Sequence, residues 1–424
     1  MNQDASSPPG HLVERRVRRA LDEALSDTRV VLVNGARQAG KSTLVRLVAD
    51  QLRATWRTLD HEATRQAALE DPAGFVEAEG PMVIDEIQRV PELLLAIKEV
   101  VDRDHRPGRF LLTGSARILG LRSVADVLPG RMETLELYPF SQGEMAGTPD
   151  AFVDAVFASG AGLRHDSDLQ RGRYAELITR GGFPEAVARP TTRRRGRFLD
   201  AYVDDLINRD VSQIGGVERV AELRALVRLL AARSGHLLKA AALGNEIGLP
   251  HSTIARYLSL LEMVFLLKRI PAWSRNLSRR ATSTPKVTMV DSGIAANLLD
   301  LDADRLVRPG APFGPLLEGF VLMELSRQLT WSEERVELFH YRTRDQIEVD
   351  AVLENRRGHV VGIEVKAAST VRPEDFRGLR HLRDRLEDDL LVGLVLYTGH
   401  QTLPFGDRLR AMPISALWEV PASA

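Results

Sequence analysis

The chain has 424 residues, of which 44% are apolar and 27% charged, with a net charge of −1, and this suits a globular protein of two or three domains. It has no cysteine, which excludes disulfides and thiolate metal sites, and no apolar run of 18 residues, so no membrane-spanning helix is expected. The near-neutral balance excludes a global basic field, and the polar stretch Met1 to Gly10 has no apolar signal core, so a cytoplasmic location is expected and any nucleic-acid site must be a local patch.

In chain order, the first clear element is the apolar run Val30 to Val33, read as a buried strand. Gly35, Ala36, Arg37, Gln38, Ala39, Gly40, Lys41 and Ser42 follow, with Thr43 next, and match the GxxxxGK[ST] phosphate loop. Leu44 to Val48 continue with helical spacing. The order strand, glycine-rich loop, helix is what the chemistry needs. The loop backbone can wrap phosphates, Lys41 can reach the β- and γ-phosphates, and Ser42 can hold Mg2+ at a helix N-terminus. ATP and Mg2+ are the expected cofactors.

A second strand, Met82 to Ile84, ends in Asp85 and Glu86. Asp85 is placed to hold the metal and Glu86 to polarise the attacking water. A third strand, Phe110 to Leu112, ends at Thr113, Gly114 and Ser115, where Ser115 or Thr113 can sense the γ-phosphate. Strands alternating with helices predict a doubly wound parallel sheet. One helix further on, Arg131 is a candidate arginine finger for a neighbouring subunit, which would require a homo-oligomer. The turn Arg180, Gly181, Gly182, Phe183, Pro184, Glu185 places Pro184 where it could cap an adenine; a plain helix start is the competing reading.

Together with Val83 to Gln88, Leu111 to Arg117, Leu128 to Ser141 and Gly181 to Glu185, the phosphate loop resembles one family. It is the group of bacterial and archaeal AAA+-type P-loop ATPases that carry a C-terminal restriction-endonuclease-like domain. The resemblance implies that fold and ATP hydrolysis, over nearly the whole chain.

Residues 237 to 267 have a helix-turn-helix rhythm. Leu238 to Ile247 form one helix, Gly248 to Pro250 the turn, and His251 to about Leu261 a second helix whose exposed face would carry His251, Ser252, Arg256 and Tyr257. Val264 to Ile270, with Lys268 and Arg269, read as the strand of a wing. Residues 251 to 290 hold seven Arg or Lys (Arg256, Lys268, Arg269, Arg275, Arg279, Arg280 and Lys286) against Glu262, a local net charge of +6. A winged helix gripping duplex DNA is expected; internal packing is the alternative. Flanking helices are expected from Phe198 to Arg209 and from Glu218 to Arg233.

From about Thr284 a third module begins. Lys286 to Val290 read as a strand, Leu316 to Glu324 as a helix, and Ile347 to Leu353 and Val360 to Lys366 as a hairpin turned by Asn355 to Gly358. Glu364 and Lys366 share one face of a strand, and Asp350 lies on its neighbour. This Asp…Glu-x-Lys pattern, with Glu318 upstream, resembles the restriction-endonuclease-like superfamily. The resemblance implies a second Mg2+ or Mn2+ held by Glu318, Asp350 and Glu364, with Lys366 assisting hydrolysis. A charged helix, Thr370 to Leu386, and a strand, Leu390 to Tyr397, complete the chain.

The expected fold class is α/β: a P-loop AAA+ ATPase domain (1–190), a central helical linker and winged helix-turn-helix (191–283) and a restriction-endonuclease-like α/β domain (284–424). The expected function is that of an ATP-driven motor or remodeller acting on duplex, branched or damaged DNA. Two alternatives stand beside it: a nucleotide-state switch that moves no DNA, and an ATP-gated, metal-dependent nuclease.

Overall fold

The computed structural model describes residues 12–115, 128–211, 219–276, 278, 280 and 283–422. Arg279 of the basic count, Glu218 at the expected helix start and the helix expected before Arg131 lie outside the described residues. The chain divides into two compact units, the first spanning residues 12–139 with 263–265, the second 140–262 with 266–422.

The first unit is a five-stranded sheet of β1 (Val30–Gly35), β2 (Thr55–Thr58), β3 (Met82–Asp85), β4 (Phe110–Gly114) and β5 (Met132–Leu137), in the order β2-β3-β4-β1-β5. All four pairings are parallel. Parallel strands covered on both faces must be apolar throughout, and β1, β3 and β4 are buried along their whole length. Alternate residues serve opposite faces. Leu32, Ile84 and Leu112 join one core cluster, while Val31, Val83 and Leu111 join the other. The phosphate loop and the ends of β3 and β4 therefore emerge together at the C-terminal edge of the sheet, where ligands of such folds bind.

The second unit contains a six-stranded mixed sheet of β8 (Val336–Arg342), β9 (Glu348–Asn355), β10 (Val360–Lys366), β11 (Leu390–Tyr397), β12 (Leu403–Pro404) and β13 (Leu409–Pro413), ordered β12-β13-β11-β10-β9-β8. β8, β9 and β10 form an antiparallel meander; β11 lies parallel to β10 and β13 parallel to β11. The Phe313–Gln328 helix precedes the meander, and the Arg377–Leu386 helix crosses between β10 and β11. That second helix sets Leu379 and Leu382 against Val349, Val352 and Val395. It lies close because Gly362 has no side chain: a Cβ there would stand 2.9 Å from Leu379 Cδ2.

The helices Val220–Ala232, Ala240–Ile247 and His251–Met263 precede an antiparallel ribbon of β6 (Leu267–Ile270) and β7 (Lys286–Met289). Gly248 ends the middle helix in the left-handed conformation at φ 76°, as a C-cap glycine does. The wing expected over Val264 to Ile270 is shorter: Val264 to Leu266 are a buried connector, and the partner strand is β7, which pairing across 15 intervening residues makes invisible locally. The Thr192–Asp205 helix runs on into a π-helical turn, Leu206–Val211.

Residues 140 to 190 pack with the second unit, whereas the expected boundary grouped them with the ATPase. Gly182 N–H donates to Asp291 Oδ2 at 2.7 Å, Gln142 N–H to Glu324 Oε2 at 3.0 Å and Val153 N–H to Gln328 Oε1 at 3.0 Å. Among the described residues, no helix is long and apolar enough to cross a membrane.

Candidate functional sites

In the phosphate loop, Gly35 ends β1, Gln38 and Gly40 take left-handed conformations at φ 59° and 95°, and the Lys41–Leu52 helix begins at once. Lys41 is 4% exposed, and its Nζ donates to Gly35 O at 3.0 Å and Ala36 O at 2.8 Å. Burial lowers its pKa to about 8, against the pull of Glu86 and Asp85. The loop is buckled from below by Arg15, which donates to Ala39 O at 2.7 Å and Tyr138 O at 2.6 Å. Nothing in the local sequence marks Arg15 for this, since its partners are backbone oxygens.

Ser42 Oγ donates to Asp85 at 3.1 and 3.3 Å, and Thr113 Oγ1 donates to Asp85 Oδ1 at 2.6 Å. Burial raises the Asp85 pKa, while the Thr113 hydrogen bond opposes this. Glu86 leaves the strand at φ 61°, with its N–H bonded to Thr113 Oγ1 at 2.9 Å. Its Oε2 accepts from Ser115 Oγ at 2.9 Å and from Gln88 Nε2, and Gln88 also donates to Ser115 Oγ at 2.7 Å. Of the two sensor candidates, Thr113 therefore bonds to Asp85 and Ser115 to Glu86. Gln88 is a residue the sequence reading missed.

These groups fit Mg-ATP. A hydroxyl and a carboxylate converge as hard oxygen ligands, and an ammonium sits under a loop that opens a helix. Ala36, Arg37, Ala39 and Thr43 lie in or directly beside the loop. Arg131 is engaged elsewhere, its Nε 2.5 Å from Asp102 Oδ1 and its Nη1 3.1 Å from Pro129 O. Pro184 is the first residue of a four-residue helix in the second unit.

The second cluster lies on the mixed sheet. Asp350 of β9, Glu364 and Lys366 of β10 and Glu318 of the Phe313–Gln328 helix all project toward one place, and with them comes Lys286 of β7. Lys286 Nζ donates to Glu318 Oε1 at 2.6 Å and Asp350 Oδ1 at 2.9 Å. Asp350 Oδ2 accepts from Val365 N–H at 2.9 Å, and Lys366 Nζ binds Glu364 Oε1 at 2.9 Å. Glu364 Oε2 is buried without a hydrogen-bond partner. Burial, then the Asp350 charge, pushes Glu318 up to about 8 and Glu364 up to about 7. The expected metal set is not assembled as one: among the described residues, no group of three Asp, Glu, His or Cys side chains is placed to hold a metal ion. Lys286, 4% exposed, already forms ion pairs with two of the three carboxylates.

The expected basic face is also corrected. Ser252 and Arg256 are exposed on the His251–Met263 helix, but Tyr257 is 1% exposed and packs inward, its side of the helix being the apolar one with Ile254, Leu258 and Leu261. Arg269 pairs with Glu262 at 3.2 Å, Arg275 with Asp389 at 2.5 Å and Arg280 with Glu354 at 2.6 Å, while Lys286 is buried in the cluster. Glu262 is already inside the local +6, but Asp389, Glu354, Glu318 and Asp350, all distant in sequence, cancel much of it. Lys268 is half-buried on β6.

The loop, its metal-side carboxylate and the parallel sheet define a P-loop ATPase of the AAA type. Residues 27–146 match the family model described as an AAA domain; residues 171–305 and 313–417 match two domains of unknown function, DUF8612 and DUF4143. The chain is 32% identical to the uncharacterized proteins Rv2008c of Mycobacterium tuberculosis and Mb2031c of Mycobacterium bovis, over 97% of its own length and 87% of theirs. It belongs to their family of AAA-type ATPases. Of solved structures, the Walker-type ATPase PABY2304 of Pyrococcus abyssi aligns over 70% of this chain and 99% of that one, at 14% identity and a TM-score of 0.44.

Proposed function

We propose that this protein hydrolyses ATP with Mg2+ and uses the cycle to act on duplex DNA. The observation that carries the first half is the convergence of Lys41, Ser42, Asp85 and Glu86 on one sheet edge, tied together by Thr113 and Ser115. Mg2+ would supply Lewis-acid stabilisation of phosphate charge, held by Ser42 and Asp85. Lys41 supplies a positive charge to the β- and γ-phosphate oxygens, and the loop N–H groups add theirs. Glu86 orients the water and takes its proton, while Ser115 and Gln88 fix the carboxylate until substrate arrives. For Arg131 to act on a neighbour's nucleotide, Asp102 must first release it.

The second half rests on the exposed Ser252 and Arg256 at the start of the second helix of a helix-turn-helix, with Lys268 and Arg269 on the adjoining ribbon. We read that segment as a winged helix. The order helix, three-strand meander, helix, parallel strand around Asp350 supports a restriction-endonuclease-like module, which we propose holds DNA. One observation favours a second reading, a nucleotide-state switch that moves no DNA: Arg269, Arg275 and Arg280 are spent on internal acids.

Steady-state ATP hydrolysis with Mg2+ decides between them, measured with and without single-stranded, duplex and four-way-junction DNA at two salt concentrations. Stimulation by DNA that salt weakens and Lys41→Ala removes supports the DNA reading. Slow turnover indifferent to every DNA overturns it in favour of the switch.

A further inference from the structure

Lys286 is placed with more care than an ordinary buried ion pair requires. Its strand is hydrogen-bonded to β6 on one edge, with Ile270 opposite Lys286. The other edge is laced by Gly235 N–H to Val287 O at 2.8 Å, Val287 N–H to His236 O at 3.0 Å and Leu238 N–H to Pro285 O at 2.8 Å. Backbone held from both sides delivers the ammonium to one point, between a helix carboxylate and a strand carboxylate. That point is where two hard oxygen donors would otherwise share a divalent cation, at ligand distances of roughly 2.0 to 2.6 Å. Asp350 has its other oxygen taken by Val365 N–H, and Glu364 has one oxygen taken by Lys366.

We propose that Lys286 is a built-in cation occupying the metal position of this cluster, so that the nuclease-like module binds no divalent ion and does not cut DNA. One ammonium neutralises part of the carboxylate charge that a metal would otherwise balance, and it supplies no activated water. The device is tied to the helix-turn-helix, because β7 is the partner of the strand that follows it.

The inference rests on reading the module as nuclease-like in architecture, and its test uses no DNA, so loss of the DNA reading and loss of this one are told apart. Binding of Mn2+ to the nucleotide-free full chain is followed by electron paramagnetic resonance, counting only what Asp350→Asn removes. The wild type is expected to show no Asp350-dependent Mn2+ at millimolar metal. Lys286→Met is expected to gain about one Mn2+ per chain, lost again when Asp350→Asn is added. Should Lys286→Met not fold, Lys286→Gln removes the charge but keeps a polar tip among the carboxylates, and it carries the same expectation. Asp350-dependent Mn2+ in the wild type, or a folded variant that binds none, overturns the proposal.

Discussion

Lys41 and His340 show how burial sets what a single side chain can do. With Lys41 removed, the loop loses the positive charge under the phosphates, so Lys41→Ala should cut ATP turnover by about 10²-fold or more, read as phosphate release. Glu86→Gln should lose about as much turnover while still binding ATP, read by retention of a fluorescent nucleotide. His340 is 1% exposed on β8, its Nε2 bonded to Thr284 O at 3.0 Å and its Nδ1 without a partner. Burial, then the nearby Lys286 charge, lowers its pKa to about 4. Its folded value lies below its unfolded one, near 6.5, so the stability it contributes is present above that pH and lost as pH falls toward 4. The stability difference between wild type and His340→Gln should therefore shrink by up to about 3 kcal/mol between pH 7 and pH 4, read from urea midpoints at stepped pH. A pH-independent difference would mean that burial leaves the His340 pKa at its unfolded value.

At the scale of elements, glycines explain motifs that chemistry alone does not. The Gly181–Gly182 turn is a packing device: a Cβ on Gly182 would stand 2.2 Å from Phe140 O, and Phe140 N–H donates back to Gly182 O at 2.8 Å. Gly182→Ala should cost about 2–4 kcal/mol of stability in the second unit, through steric displacement of this turn. Gly172→Ala is the control, since nothing lies within 4 Å of that position in the Arg171–Arg180 helix, and alanine should raise stability by about 0.5–1 kcal/mol. Thermal midpoints of the two variants should move in opposite directions. Elements whose signals are local were legible in the sequence. β1, β3 and β10 announce themselves as short apolar runs, and the Asn355–Gly358 turn as a turn. β8 was not legible, because Glu337, His340 and Arg342 interrupt its apolar pattern, and β13 was not, because it is five residues ending in Pro413.

At the scale of the whole molecule, charge counted along the chain misled where charge in space decides. The basic count over 251 to 290 is correct as arithmetic, but Glu354, Asp389, Glu318 and Asp350 come from elements farther along the sequence to meet it. Lys286 is the sharpest case, a residue counted toward a DNA face and found inside the carboxylate cluster. Nothing in one-dimensional spacing distinguishes a lysine on a wing from a lysine behind it. Under the DNA reading the remaining contact is narrow. Arg256→Ala should weaken duplex binding by about 3- to 10-fold and lower the salt slope by about one, measured by fluorescence anisotropy across a salt series. An unchanged slope would remove Arg256 from the interface.

The bond from Gly182 N–H to the buried carboxylate of Asp291 has a consequence for how the polypeptide could be divided. Asp291 also caps the Ser292–Leu298 helix, accepting from Ile294 N–H at 3.0 Å, and burial raises its pKa. A break after Arg189 would part Gly182 from that carboxylate and leave a buried acid short of a donor, a costly defect. A break after Pro139 severs none of these bonds. A piece beginning near residue 140 should therefore stay soluble when produced alone, and one beginning near residue 190 should not.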